Sequence, residues 1–399
     1  MRRPIALALA VALVAVSTAS WGQAVPASAS PPDDESWGEE DDWGEVDDDF
    51  GDLETAVVDV APPSPWSVTG FARSSWGIWA ERLETEPWSK GRQSLDLKAT
   101  YKDGGLRAVA AAHGEYDLRY LHEATPSSAP HDPATLEAYQ WQVLSREVFV
   151  SYAWERVDLT VGRQIVAWGE GDAFSPLDVV NPRDMREPGT ADLEDIRLPI
   201  LSTRLGFTSG PHRVELMGVH EADFGLRSPP FGPFSPLPAL LADYPQAAAG
   251  LTGRTLRYDD LQERFSLDGQ QILGRWVYKG PGLDLGVYGA WVLDRQGVIT
   301  LEAIDLNDGD AVEALVLSTE LDLPLDHRRY GLVGLSGAHA WGAWLLKWEA
   351  ALEIDRPLNT VAQGLVGPEF GVLTTTMLQT MAGVSWTPEP ELLFAVEVL

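Results

Sequence analysis

From Pro65 onward the chain is a succession of segments about ten residues long in which apolar and polar side chains alternate, the period of a strand with one greasy and one wet face. The stretch 343–355 shows it most fully. Trp344, Leu346, Trp348, Ala350, Leu352 and Ile354 fall on one face, and Lys347, Glu349, Glu353 and Asp355 on the other. Four charges set opposite two tryptophans suit a strand between lipid and water better than a soluble sandwich. Leu95, Leu97, Ala99 and Tyr101 alternate in the same way with Ser94, Asp96, Lys98, Thr100 and Lys102. The turn Asp103-Gly104-Gly105 follows, and a return strand sets Leu106, Ala108, Ala110 and Ala112 against Arg107, His113, Glu115 and Asp117. The polar groups of both strands share one side, expected to be a water-filled lumen.

The pattern predicts an all-β fold, an antiparallel transmembrane β-barrel, with strands at 66–82, 93–102, 106–120, 145–155, 157–167, 199–208, 212–221, 270–279, 282–293, 298–305, 311–321, 328–340, 343–355, 372–387 and 391–399. Connections at 103–105, 155–156, 209–211, 280–281 and 307–310 are tight, whereas 121–144, 168–198, 222–269 and 356–371 are long, as short periplasmic turns and long outer loops require. Trp66, Trp76, Trp79, Trp154, Trp276, Trp341, Trp344 and Trp386 fall near strand ends, where amphipathic rings favour the membrane interface. One position conflicts: Arg163 shares the apolar parity of Val157, Leu159 and Val161, and a bulge at Gly162 would turn it inward. Fifteen strands is an odd number, and the chain stops at Leu399 in mid-pattern, so a C-terminal truncation of a barrel of sixteen or more strands is expected.

Charge and composition then separate the N-terminal region from the barrel. Arg2 and Arg3 precede an apolar run too short to span a bilayer, which reads as a signal peptide, 1–24, cleaved after Ala24, with Ala19 and Ala29 as alternatives. Residues 25–65 read as a disordered acidic periplasmic tail: fourteen of the 60 acidic residues lie between Asp33 and Asp59, with no Lys or Arg among them. Trp37-Gly38, Trp43-Gly44 and Phe50-Gly51 each follow acids, so Trp37, Trp43 and Phe50 are candidate anchors for a periplasmic or inner-membrane exporter component; the alternative is a solvated spacer. The barrel occupies 66–399. The net charge of −31 opposes phosphate-backbone binding, so no nucleic-acid partner is expected. Outer-membrane lipids and the barrel-assembly machinery are the other expected partners. Cysteine is absent, which removes disulfide and thiol chemistry.

The most distinctive passage runs Val161-Gly162-Arg163-Gln164-Ile165-Val166-Ala167-Trp168-Gly169-Glu170, followed by Asp178-Val179-Val180-Asn181-Pro182-Arg183-Asp184. It resembles the proteobacterial outer-membrane family catalogued as domain of unknown function 1302, where a Gly-Arg-Gln strand ends at a Trp-Gly pair and an Asp-x-x-Asn-Pro-x-Asp loop follows. Similarity extends through Tyr330-Gly331, Ser336-Gly337, Trp344, Glu349 and Gly383. The resemblance implies an outer-membrane barrel working with transport systems for envelope lipid or hydrophobic substrates, and it carries over no catalytic residue.

Residues 168–198 form a long, charged connection expected to fold over or into the lumen. Its constriction candidates, with the strand that leads into it, are Arg163, Gln164, Trp168, Glu170, Asp172, Asp178, Asn181, Arg183, Asp184 and Arg186. In the alternative, these charges pair among themselves and hold the loop. Candidate lumen residues are Lys98, Arg107, Glu115, Arg204, Arg275, Lys347, Glu349 and Glu353. The connection 222–269 is unusually apolar around Pro229–Pro238, suiting a self-packed cap, insertion into the outer leaflet or contact with a greasy substrate. Seven scattered His, no Gly-x-Ser-x-Gly and no EF-hand spacing leave no catalytic, cofactor or metal site to nominate. The expected function is a porin-like channel or transport partner for hydrophobic, lipidic or other small solutes; the alternative is a structural or adhesion barrel that does not conduct.

Overall fold

The computed structural model describes residues 64–80, 84, 88–121, 133–172, 175–188, 196–300, 318–363, 368–389 and 392–399. The strands are β1 (Trp66–Ile78), β2 (Trp88–Asp103), β3 (Leu106–Asp117), β4 (Trp141–Ala153), β5 (Val157–Gln164), β6 (Asp184–Met185), β7 (Ile200–Ser209), β8 (His212–Val219), β9 (Leu226–Arg227), β10 (Thr255–Asp260), β11 (Gln271–Gly280), β12 (Leu283–Leu293), β13 (Val298–Ile299), β14 (Glu320–Asp326), β15 (Arg329–Trp341), β16 (Trp344–Gln363), β17 (Pro368–Glu389) and β18 (Leu392–Val398). Thirteen of them make one sheet, in the order β1-β2-β3-β4-β5-β7-β8-β11-β12-β15-β16-β17-β18. Each strand pairs antiparallel with its neighbour, so the wall is an up-and-down meander. Among the described residues β1 and β18 are its two edges and do not pair with each other.

The outward face is the face of a membrane protein. Val68, Val143, Val150, Leu216, Val333, Leu335, Leu346, Leu352 and Leu378 are all exposed on strands of the wall, which in water would be unfavourable and in lipid is not. Aromatic rings gather at the end of the tight turns: Trp66 on Tyr101 (4.9 Å), Tyr152 on Trp154 (4.8 Å), His212 on Trp276 (5.7 Å), and the stack Trp344–Trp386–Phe394 (5.5 and 5.6 Å). A second group, Trp76 on Trp88 and Tyr116 on Trp141, lies at the other end (5.9 and 6.4 Å). Trp66 and Trp76 lie ten positions apart on β1. At ~3.3 Å per residue and a tilt of about 40° that is roughly 25 Å of height, the apolar band of an outer-membrane barrel.

Two irregularities decide which side chains face inward. Between β3 and β4 the register slips from Ala110↔Val148 to Ala112↔Ser145. The extra residue brings both Arg146 and Glu147 to the interior, where they meet the carbonyl oxygen of Arg197 (3.4 Å) and the amide of Ile165 (3.2 Å). In β16 a slip between Glu353 and Arg356 puts Asp355 at φ 61°. Asp355 is therefore exposed rather than on the lumen face with Glu353, and Arg356 takes its place, reaching Asp294 (2.8 Å) and covering the Tyr330 ring (4.4 Å).

Other expectations are corrected as well. The described parts of the expected strands 298–305 and 311–321, residues 298–300 and 318–321, lie outside the wall, where β12 pairs directly with β15, and residues 301–317 lie outside the described residues. Instead β13 and β14 join β10 in a separate three-stranded sheet. Its Val298 and Leu325 are buried, and any sheet with one covered face shows the same alternation as a membrane strand. The turn at 307–310 lies outside the described residues, and the described wall has thirteen strands rather than fifteen. The expected long loop 356–371 is mostly ladder, since β16 and β17 stay paired from Arg356↔Thr375 to Gln363↔Pro368.

The connection 222–269 packs on itself and on its neighbours. Pro229, Pro230 and Gly232 are buried, Phe234 meets Trp79 (5.3 Å), and β9 pairs with β6. His327, fully buried, ties this cap together: it stacks on Phe224 and bonds the Asp294 carbonyl oxygen (2.7 Å) and the Asp260 carboxylate (2.9 Å). Burial would raise the Asp260 pKa, but the bonds from His327 and Arg227 outweigh it and hold the group below the ordinary carboxylate range.

Candidate functional site: a segment across the lumen

The interior of the wall is occupied by the connection between β5 and β7. It begins at Val166 and Trp168 and continues through Leu177 and Val180, all four buried. These pack against inward-facing residues of six strands: Ile200, Met217, Val219, Leu273, Tyr288, Val292, Tyr330, Leu332 and Ala351. At this level the inner face is therefore apolar and covered, where a wet lumen was expected. Leu177 presses on Gly334 so closely that a Cβ there would lie 2.1 Å from its Cδ2. A fully buried Leu or Val side chain contributes about 1.5–3 kcal/mol, so Leu177 and Val180 alone anchor the segment firmly.

Glu349, on the inner face of β16 and 2% exposed, fixes one side of the segment. Its Oε1 accepts the amides of Glu170 (2.5 Å) and Gly171 (2.7 Å), and its Oε2 accepts the Ser175 hydroxyl (2.8 Å) and the Leu177 amide (3.3 Å). Lys347 pairs with Asp172 (2.6 Å), the Asp172 amide donates to Glu397 of β18 (2.8 Å), and Ser336 donates to Glu170 (3.3 Å). Gly169 makes the bend, at φ 95°, and a Cβ there would fall 2.0 Å from Ser175 Oγ and 2.6 Å from Glu349 Oε1. Burial raises the Glu170 pKa above the usual carboxylate range.

The far part of the segment is clamped to the opposite wall. Arg186, 3% exposed, donates to Glu115 of β3 (2.9 Å), to Asp184 (2.5 Å) and to the carbonyl oxygen of Ala138 (2.8 Å). Burial works against its charge, but the bonds to Asp184 and Glu115 outweigh it and move its pKa upward. Glu187 takes Arg92 (2.5 Å) and Lys90 (2.6 Å) of β2. Between the two clamps the segment braces itself: Asn181 accepts the Val166 amide (2.7 Å) and donates to the carbonyl oxygens of Gln164 (3.1 Å) and Leu198 (2.8 Å). Asp178 meets Arg183 (2.9 Å) and Arg197 (3.0 Å). The segment thus crosses the interior from β15–β18 to β2–β3.

The predicted constriction residues separate into groups accordingly. Trp168, Glu170 and Asp172 face the late strands, Asp184 and Arg186 face the early ones, and Asp178, Asn181 and Arg183 are internal braces together with the buried Gln164. Arg163 stands apart from them. The register on both sides of Gly162 is unbroken, so no ladder bulge turns it inward. Gly162 instead takes φ 135°, and the guanidinium reaches Glu221 (2.7 Å), Asp223 (3.3 Å) and the Pro199 carbonyl oxygen (2.8 Å) at the rim. Of the lumen candidates, Glu115, Lys347 and Glu349 hold the segment, and Glu353 faces Arg356 (3.6 Å). Lys98, Arg107, Arg204 and Arg275 line a basic sector of the wall. Sequence reasoning missed Glu187, Arg92 and Glu215. The parity of Arg213, Glu215 and Met217 marked Glu215 as inward, but nothing local marked Glu187 as a clamp.

A thirteen-stranded antiparallel wall, apolar outside, ringed by aromatics and holding a stretch of its own chain within, is a membrane β-barrel. The chain belongs to the family described as Protein of unknown function (DUF1302), which matches residues 88–385. Among solved structures it is similar to OccK9 (OpdG) of Pseudomonas aeruginosa, at 12% identity over 80% of this chain and 64% of that one, with a TM-score of 0.39. It is also similar to an anion-selective porin from Comamonas acidovorans, at 12% identity over 80% and 74% of the two chains (TM-score 0.34). A BenF-like porin from Pseudomonas fluorescens Pf-5 aligns at 9% identity over 80% and 65% (TM-score 0.32). No curated protein sequence matches this chain.

Proposed function

We propose that the protein is an outer-membrane channel, or the outer-membrane partner of a transport system, for hydrophobic, lipidic or other small solutes, and that the segment 168–198 sets what passes. The observation that carries this reading is that the segment is bonded to both sides of the wall, through Glu349 and Lys347 on one side and Glu115, Arg92 and Lys90 on the other. A stretch so placed narrows the passage, and its release widens it. In this reading the tight turns face the periplasm and the cap around His327 faces outward. The acidic tail, 25–65, lies outside the described residues; it is read as recruiting an exporter component through Trp37, Trp43 and Phe50.

Planar-bilayer recording of the full chain tests this against Leu177→Asp, which places a charge at a fully buried position of the crossing segment. The variant is expected to open far more often than the wild type. Absence of openings in both, with no solute uptake into liposomes, overturns the channel reading in favour of a structural barrel. Crosslinking with and without residues 33–59 tests the tail, and an unchanged set of partners removes its proposed role.

A further inference from the structure

Three guanidiniums on the inner wall converge on a single carboxylate. Glu215 of β8, 1% exposed, has Arg275 Nε at 3.2 Å, Arg213 Nη2 at 3.6 Å and Arg204 Nη1 at 3.7 Å. None of these contacts is a well-aligned bond: the one hydrogen bond between the groups runs from Arg275 to Oε2 at 3.5 Å, and Oε1 accepts none. Arg213 is held in addition by Asp158, in a two-pronged pair at 2.7 and 3.0 Å. That pair crosses Gly206, where a Cβ would lie 2.4 Å from both partners. The buried Nε–H groups of Arg204 and Arg275 have no acceptor. Arg204 and Arg275 together offer about ten N–H donors, more than Glu215 and the Ala167 carbonyl oxygen can accept.

Two further cations of the inner wall, Lys98 of β2 and Arg107 of β3, act on Glu147 of β4 together with Arg204. The three arginines remain partly open to the interior, at 17, 24 and 18% exposure. Planar guanidinium forks with spare donors at a low-dielectric wall, as Arg204 and Arg275 present, are the chemistry that recognises oxyanions.

We propose that Arg204 and Arg275, with the Asp158-held Arg213 beside them, form a binding site for the oxyanion group of a small solute, a carboxylate or a phosphate. This rests on the channel reading only for its role in transport, because binding at the wall needs no conduction. The site also touches the crossing segment. Arg275 approaches the carbonyl oxygen of Ala167 (3.5 Å) and lies over the Trp168 ring (5.9 Å), so an anion drawing Arg275 away loosens the contact with Trp168.

The experiment has two arms. In the first, thermal unfolding of the detergent-solubilised full chain is followed in sodium phosphate and in sodium acetate against sodium chloride at equal ionic strength. The midpoint of the wild type is expected to rise in at least one of the two beyond the chloride control, following mass action, and that of Arg204→Gln/Arg275→Gln to stay level. A rise in phosphate alone, in acetate alone or in both names the group preferred; equal responses of wild type and variant overturn the site. In the second arm, reversal potentials of Leu177→Asp channels in a tenfold KCl gradient are expected to show anion preference, which the two Gln substitutions reduce. An unchanged preference counts against the site. Binding in the first arm without conduction in the second leaves the site standing and removes the channel.

Discussion

Replacing Glu349 by Gln tests the seating of the crossing segment most directly, for it neutralises a carboxylate that accepts from four donors and turns one of its two oxygens into a donor. In the better orientation the amide oxygen keeps the N–H groups of Glu170 and Gly171, now without the help of a charge. The amide nitrogen then faces Ser175 and Leu177, two former donors. The serine hydroxyl can rotate and accept, but the Leu177 N–H is left buried without an acceptor. Weakening two charge-assisted bonds costs about 1 kcal/mol each, and an orphaned amide about 1–3 kcal/mol. Easier burial of a neutral side chain offsets part of this, which leaves roughly 2–4 kcal/mol. At 1.4 kcal/mol per factor of ten, the ratio of unseated to seated segment rises on the order of thirty- to several-hundred-fold. Two readouts follow it: open probability in planar bilayers and the rate of proteolytic cleavage between residues 168 and 187. Glu353→Gln, on the same face of β16 but facing Arg356, is the control and is expected to alter neither. If Glu349→Gln opens and is cleaved no faster than Glu353→Gln, the carboxylate does not seat the segment.

Gly169→Ala attacks the same bend through the backbone, since φ 95° and a Cβ placed 2.0 Å from Ser175 Oγ both oppose any side chain. Strain of about 1–3 kcal/mol plus the displaced contact is expected to raise conductance and cleavage while the strand content seen by circular dichroism stays the same. Glu170 gives a pH dependence. Burial raises its pKa in the seated state, so seating is favoured fully below the ordinary value of 4.5 and weakens as pH rises through the raised value. Openings are expected to become more frequent over that interval, and Glu170→Gln to flatten the profile; an unaltered profile in the variant assigns the titration elsewhere.

How much of this was legible in the sequence depends on the range of the interactions concerned. The lipid face of β16, from Trp344 to Ile354, was readable because a membrane strand writes its environment into every second residue. The tight turns at 103–105 and 209–211 were readable because Gly104 and Gly210, at φ 56° and 57°, are required locally. Asp355 and Arg356 were misplaced because a single slipped residue reverses the parity that such a reading depends on. The apolar stretch around Leu177 and Val180 sits among charges and looks like ordinary loop. Only the inward-facing Leu273, Tyr288 and Leu332, more than ninety positions further on, show that it has a core to fill. Glu320 and Leu321, read as the end of a wall strand, belong instead to β14 of the separate sheet for the converse reason, since alternation reports one covered face without saying what covers it.

The partners of the crossing segment also carry a statement about time. Asp172 bonds a residue 225 positions later in the chain, and Glu170 and Gly171 bond one 179 and 178 positions later. When 165–182 is made, the surfaces that receive it, on β15, β16 and β18, do not yet exist. The segment must therefore wait, with Trp168, Leu177 and Val180 uncovered, until the last strands are laid down. Closing those contacts over such long loops belongs to the slow end of folding. The seated segment is thus a record that the far side of the wall was built, and a wall left unfinished there keeps an apolar stretch free for chaperones and proteases to find.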